Sequence, residues 1–150
     1  MQLYDIIVQL VSAVVSSLGF ALLFHVRKGL LLPSAMGGLV CWGVYLIASV
    51  HMEGIFYPSL LAAACTALYA ETLARLLRAP TPVFFVPAVI PLIPGSSLYY
   101  TMSAAVQGDM ELAAYYGNRT ILFVLALAAG ASIIWAACDM SRKLLALRRH

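Results

Sequence analysis

Long apolar stretches separated by short polar segments make up nearly the whole chain. Each stretch is long enough for one helix to cross a bilayer, because about 20 residues at 1.5 Å rise span roughly 30 Å of hydrocarbon. The five stretches cover residues 6–24, 29–50, 54–74, 83–107 and 120–138. The pattern predicts an all-α fold, a polytopic membrane helical bundle of about five transmembrane helices that forms a single domain over residues 1–150.

The net charge of the connections alternates in sign along the chain. The connections after the first and third stretches and the tail 139–150 are basic, whereas the N-terminus and the other two connections are acidic. Cytoplasmic loops of membrane proteins are enriched in Lys and Arg, so the alternation predicts an outer N-terminus and a basic cytoplasmic tail. Five crossings satisfy the alternation, whereas four would place basic regions on both sides of the membrane.

Composition excludes several classes of protein. Hydrophobic residues make up 63% of the 150 residues and charged residues 10%, which a soluble enzyme, a nucleic-acid-binding protein or a disordered chain would not show. The N-terminal sequence MQLYD lacks the basic residues that begin a secretory signal peptide, so we expect the first stretch to be retained. The three cysteines and three histidines have no metal-ligand spacing, and we predict neither a metal site nor another cofactor.

Proline is concentrated in the fourth stretch, PTPVFFVPAVIPLIPGSSLYYTM. Within its apolar part, Pro87, Pro91 and Pro94 each lack an amide hydrogen and clash with the carbonyl four residues earlier. Lipid cannot satisfy the carbonyls released in this way, so irregular backbone survives only where protein covers it or water reaches it. The spacing favours a helix that is broken near the middle of the membrane; a kinked but continuous helix is the alternative.

The residues after the last proline suit a negatively charged group. A half-helix that begins there presents free amides and a partial positive charge, which attract carboxylates or phosphates. Hydroxyl groups continue along one face of the same segment. We predict that a small anionic or zwitterionic solute binds at Gly95, Ser96, Ser97, Tyr99 and Tyr100. Alternatively, this face only forms hydrogen bonds to other helices and anchors aromatic rings at the interface.

Glu71 is an acidic residue well inside a stretch. Buried carboxylates in membranes often belong to proton relays, so Glu71 is a candidate for proton coupling. Arg75 and Arg78 follow four and seven residues later, and an ion pair at the cytoplasmic edge is the alternative interpretation. A polar stripe on the first stretch can face the same solute path or serve packing alone: Gln9, Ser12 and Ser16.

Small residues recur at helical spacing in three stretches. Such spacing lets the backbones of two helices approach closely. In lipid no hydrophobic force acts between helices, so this close packing drives their association. We therefore expect these residues to lie at contacts between helices: Ser34, Gly38, Ala63, Ala67, Ala70, Ala74, Ala126 and Gly130.

The segment FVPAVIPLIPGSSLYYTM resembles the threonine/serine exporter family. More closely, the chain resembles the short membrane subunit of the two-gene form associated with the export of dicarboxylates, especially succinate. The positions Pro87, Pro91, Pro94, Gly95 and Tyr100 stand in the family's pattern. The resemblance implies a bacterial inner-membrane exporter of small carboxylates or amino acids, assembled with a larger partner subunit. Together with the broken helix, it suggests transport by alternating access; a homo-oligomer is a further assembly to test.

Two other classes of function stay open at this level. A non-transporting scaffold that stabilises a partner complex would need the prolines for assembly rather than for movement of a solute. An intramembrane enzyme would need a convergent Ser–His or two-acid site, and the sequence offers none. We therefore predict no enzymatic activity and no catalytic residues, and we expect no nucleic acid among the partners.

Overall fold

A computed structural model describes residues 3–147, which form six α-helices and one 3₁₀ turn. The helices are α1 (Leu3–Leu23), α2 (Lys28–His51), α3 (Phe56–Leu77), α4 (Pro82–Val89), α5 (Gly95–Val106) and α6 (Met110–Leu147), and the 3₁₀ turn Ile90–Leu92 follows α4. The predicted all-α membrane bundle is confirmed. Within the described range, four helices are long and apolar enough to cross a membrane, and the bent pair of α4 and α5 brings the number to five when it is counted as one span. Residues 148–150 of the predicted basic tail lie outside the described residues.

The contacts of α3 with α6 show that these two helices are parallel. Gly130 lies against the carbonyl of Leu60, and further along both helices Arg142 pairs with Glu71. A chain that leaves one helix and enters a parallel neighbour must return across the bundle in between. The segment from α4 to α5 makes this return, which supports counting the bent pair as one crossing.

Helix α6 extends beyond the apolar stretch 120–138 at both ends. It begins at Met110, because Asp109 Oδ1 accepts the amide hydrogen three residues later at 3.0 Å and Glu111 in the first turn interacts favourably with the helix dipole. The expected outer connection, 108–119, is therefore mostly helical. At its other end the helix continues to Leu147, so the expected tail begins as regular helical turns. Hydropathy identified the apolar centre of this helix and not its ends.

Small residues form the closest contacts between helices, as their spacing predicts. A Cβ atom at Gly130 would overlap the carbonyl of Leu60, and one at Gly38 would overlap the side chain of Ser17 in α1. All the small residues named for this role in the sequence are buried: Ser34, Gly38, Ala63, Ala67, Ala70, Ala74, Ala126 and Gly130. The bundle therefore relies on close backbone approach at the crossings of α1 with α2 and of α3 with α6.

Candidate functional site

The fourth span is broken at its last proline. Helix α4 continues through Pro87, the chain then tightens into the 3₁₀ turn that contains Pro91, and the axis changes direction by 53° before α5. Ile93 is extended, with φ −66° and ψ 126°, and Pro94 precedes the first residue of α5. The predicted break is present, and it lies at Ile93 and Pro94, directly before the half-helix that was expected to begin after the last proline.

Neighbouring groups satisfy two of the carbonyls that the prolines release. Pro87 releases the carbonyl of Val83, and the Ser34 hydroxyl of α2 lies 3.2 Å from it. The same hydroxyl lies 2.8 Å from a carbonyl in the first turn of α2, so it can donate to either oxygen. Pro94 releases the carbonyl of Ile90, which accepts the amide hydrogen three residues later at 3.1 Å. Donors of the protein thus provide the hydrogen bonds to these carbonyls that lipid cannot provide.

A cavity of about 290 Å³ lies beside the break, and we call it the mid-depth cavity. Pro91 forms one wall and Trp42 of α2 another. Helix α1 contributes the polar stripe of Gln9, Ser12 and Ser16, which lies near the middle of that helix. Trp42 Nε1 donates a hydrogen bond to Gln9 Oε1 at 3.2 Å. The structure therefore brings the polar stripe of the first span to the broken span, an arrangement that the sequence left open.

The predicted solute-binding residues lie on α5, beyond the break. Helix α5 packs mainly on α6, whereas α4 packs on α1, α2 and α3. Gly95 has open space around it, and Tyr99 is exposed. Tyr100 stacks on Tyr116 of α6 with a centroid distance of 5.2 Å. Residues 95–100 are absent from the lining of the mid-depth cavity, and all of them except the half-buried Ser97 are exposed on the surface of this chain.

Glu71 joins three helices at the end of the bundle opposite the α2–α3 connection. Its carboxylate accepts hydrogen bonds from Thr81 Oγ1 at 2.9 Å, from Arg75 Nη2 at 3.3 Å and from Arg142 Nη2. The side chain is 5% exposed, and it ties α3 to the start of α4 and to the last part of α6. The ion pair with Arg75, considered from the sequence as an alternative to proton coupling, is present.

Sequence reasoning missed the roles of Thr81 and Arg142. Both contacts join residues far apart in the chain, and no spacing rule connects them to Glu71. The signal that could have found Arg142 is topological, because the charge alternation puts the basic tail on the same side of the membrane as the end of the third span. A buried acid near that side then has basic residues of the tail within reach.

Hydrogen-bond donors lie at two separate places. The hydroxyls of Ser12 and Ser16 line the mid-depth cavity, and outside it Ser96 and Ser97 offer hydroxyls and first-turn amides on α5, whereas the Gly95 amide donates to the carbonyl of Ile93 at 2.8 Å. A helix cannot satisfy these amides itself, and they carry partial positive charge. The donors of Ser96 and Ser97 at the start of α5 suit reversible binding of a carboxylate.

A model of the family described as Threonine/Serine exporter, ThrE, matches residues 9–137. The chain belongs to the threonine/serine exporter family. The matched range runs from α1 into α6 and contains the whole broken span. No solved structure gives a significant match to the chain. Membership of this family, together with the apolar helices, makes this a multi-pass membrane protein of a family that exports amino acids or small solutes.

Proposed function

We propose that this protein is a subunit of a bacterial inner-membrane exporter of small carboxylates or amino acids, similar to succinate, threonine or serine. The observation that carries the proposal is the 53° break beside the mid-depth cavity. Discontinuous helices in secondary transporters place backbone dipoles at substrates near the membrane midplane. Here the start of α5 supplies Gly95, Ser96 and Ser97, and Tyr99 and Tyr100 follow on the same helix.

Transport proceeds by alternating access in this proposal, with the break as the hinge. The two halves of the fourth span pack on different helices, α4 on α1, α2 and α3 and α5 on α6. Hinge motions need only a few residues that change backbone angles, and Ile93 with Pro94 provides such a point between two rigid halves. Motion of α5 about this point, while α6 stays packed on α3, would change access to the break from one side of the membrane and then from the other.

A larger membrane subunit completes the transport path in this proposal. Helix α5 carries Ser96 at an exposed position and Ser103 at a half-buried one, and the exposed Gln107, which follows the helix, donates a hydrogen bond to Ser103 Oγ at 3.0 Å. Exposure of these polar groups to hydrocarbon would be costly, so a protein surface that covers them is favoured. We propose that the larger subunit implied by the family resemblance covers this face of α5. A second copy of this chain is the alternative, and the efflux experiment below distinguishes the two.

The proposed orientation places the N-terminus outside and the C-terminus in the cytoplasm. Arg27 lies in the α1–α2 connection and Lys28 begins α2, Arg75 lies near the end of α3 with Arg78 directly after that helix, and the last turns of α6 carry further basic residues. Since the parallel arrangement of α3 and α6 puts the latter two groups at the same end of the bundle, the positive-inside rule assigns that end to the cytoplasm. Glu71 lies at this end, where a proton-coupling role stays a prediction.

Efflux of labelled solutes tests the proposed function. Cells that express this chain together with a larger membrane subunit of the same family should release preloaded labelled threonine or succinate faster than cells that express either subunit alone. The larger subunit alone is the matched control, because it reveals transport that does not need this chain. Efflux by this chain alone would show that copies of this chain assemble into the exporter without a larger subunit. Unchanged efflux of both solutes in every combination would refute the proposal.

A further inference from the structure

A second cavity, of about 380 Å³, lies at the Glu71 end of the bundle, and we call it the Glu71 cavity. One wall is a single face of α6, since Trp135, Cys138, Asp139 and Arg142 follow one another at helical spacing. The opposite wall is formed by Glu71 at the end of α3 and by the residues that begin α4. Its volume lies within the range of small-molecule sites, about 300–1,000 Å³. This cavity is separate from the mid-depth cavity, and the proposed function does not use it.

The lining of the Glu71 cavity carries charges of both signs. Arg142 supplies a guanidinium whose side chain is 56% exposed, while Glu71 beside it is 5% exposed. Asp139, one turn earlier on α6, is 61% exposed and pairs with Lys143 at 3.3 Å. The exposed charges of Asp139 and Arg142 therefore lie one helical turn apart on α6, beside the buried carboxylate of Glu71.

The remainder of the lining is mostly apolar. Trp135 and Cys138 of α6 face Pro82 at the start of α4. The ring of Trp135 packs edge-on against Phe85 of α4 with a centroid distance of 5.1 Å. A solute in this cavity would meet a fixed aromatic surface on one side and the charged pair on the other.

We propose that the Glu71 cavity is a loading site for a small zwitterionic solute on its way out of the cell. In this assignment, which rests on the proposed export function, Arg142 binds the carboxylate of the solute and Asp139 binds its ammonium group. A guanidinium has five N–H donors and binds a carboxylate with two parallel hydrogen bonds. Glu71 keeps Thr81 and Arg75 as donors when Arg142 turns to the solute, so the buried carboxylate stays paired.

The charge of the lining also sets the specificity of the site. The lining contains two carboxylates, Glu71 and Asp139, and one guanidinium, Arg142, while Arg75 pairs with Glu71 and Lys143 with Asp139 from outside the lining. The second carboxylate of a dicarboxylate would have to take Lys143 away from Asp139 and would leave that carboxylate without its partner, whereas the ammonium group of a zwitterion can bind Asp139 beside Lys143. Specificity is a difference of affinities, and like-charge contacts are an effective way to produce it. The site should therefore prefer an amino acid such as threonine to succinate.

The two tryptophans of the chain make the proposal testable by fluorescence. Trp135 lines the Glu71 cavity and Trp42 lines the mid-depth cavity. The full-length Trp42→Phe protein, purified in detergent, reports on the Glu71 cavity alone, and the Trp135→Phe protein reports on the mid-depth cavity alone. Titration of Trp42→Phe with L-threonine should give a saturable change in Trp135 emission, and succinate should need at least a tenfold higher concentration for the same change.

Substitutions in the Trp42→Phe background test the roles of the charged residues. Asp139→Asn should weaken threonine binding at least tenfold, and because Asp139 lies at the surface this variant is expected to fold. Arg142→Lys keeps the charge but loses the paired donors, and it should also weaken binding at least fivefold. Glu53→Gln removes an exposed acid from the α2–α3 connection at the other end of the bundle and should leave binding within twofold of the parent. Unchanged binding in Asp139→Asn, or equal affinity for succinate and threonine, would overturn the assignment.

The outcome for this site is distinguishable from the outcome for the proposed function. If cells export threonine but Trp135 emission does not respond, the loading site is refuted and export stands. If Trp135 responds in the way described but no solute is exported with any partner, the site stands as a binding site and the proposed function fails.

Discussion

Replacement of Pro91 and Pro94 by alanine together is expected to reduce solute efflux at least tenfold. Alanine restores an amide hydrogen at each position, so the carbonyls of Pro87 and Ile90 regain helical partners and the fourth span can run straight. The tenfold loss corresponds to about 1.4 kcal/mol of lost transition-state stabilisation. The measurement is efflux of labelled threonine and succinate per amount of assembled complex in the membrane, with the larger subunit present.

Pro33→Ala is the matched control for this pair. Pro33 also lies inside a helix, but α2 continues through it and no break follows. We expect this variant to export at a rate within twofold of the parent, which separates loss of the break from loss of a proline. If the double variant assembles poorly but each assembled complex still transports normally, the protein is a scaffold rather than part of the solute path.

Arg142→Gln is expected to destabilise the protein by about 2–3 kcal/mol, more than Glu71→Gln does. Loss of one partner from a buried ion pair typically costs about 3–5 kcal/mol, because the other charge stays buried. Thr81 and Arg75 remain bonded to Glu71, which reduces the cost. In Glu71→Gln the two arginines are more than half exposed and can be hydrated, so we expect a cost of about 1 kcal/mol.

Denaturant or thermal unfolding in detergent, followed by helical circular dichroism, measures this asymmetry. Lys143→Gln is the control, because its pair with Asp139 is exposed and worth about 0.5 kcal/mol. The double variant Glu71→Gln with Arg142→Gln should be no less stable than Glu71→Gln alone, since no buried charge is then left without its partner. Equal stability of Arg142→Gln and Lys143→Gln would show that α6 is not held by Glu71.

Local features of the sequence predicted much of the fold, because membrane helices obey local rules. Apolar length identified α1, α2 and α3, and the prolines located the broken span. Small residues such as Gly38 and Gly130 predicted where helices cross, since close approach depends on the size of one side chain. The ends of α6 were harder to predict from the sequence, because Asp109 starts that helix by a capping hydrogen bond that does not appear in the hydropathy pattern.

The candidate site was predictable only in part, because it depends on contacts between distant segments. The polar stripe at Gln9 could be recognised in α1, but its position beside Pro91 follows from packing of α1 on the 3₁₀ turn. The contact of Arg142 with Glu71 joins two helices that are parallel only because the fourth span returns between them. Conversely, Tyr99 and Tyr100 were grouped correctly on one helix, but the break directs that helix onto α6 and away from the mid-depth cavity.

Protection of a cysteine at position 96 by the solute tests the central claim most directly. In a complex whose native cysteines at 41, 65 and 138 are replaced by alanine, Ser96→Cys should react with a small water-soluble thiol reagent. Threonine or succinate should slow that reaction at least fivefold, and labelling of a Val106→Cys control at the far end of α5 should not change. A residue 96 that resists the reagent while residue 106 reacts, or that reacts at the same rate with and without solute, would contradict a solute path through the broken span.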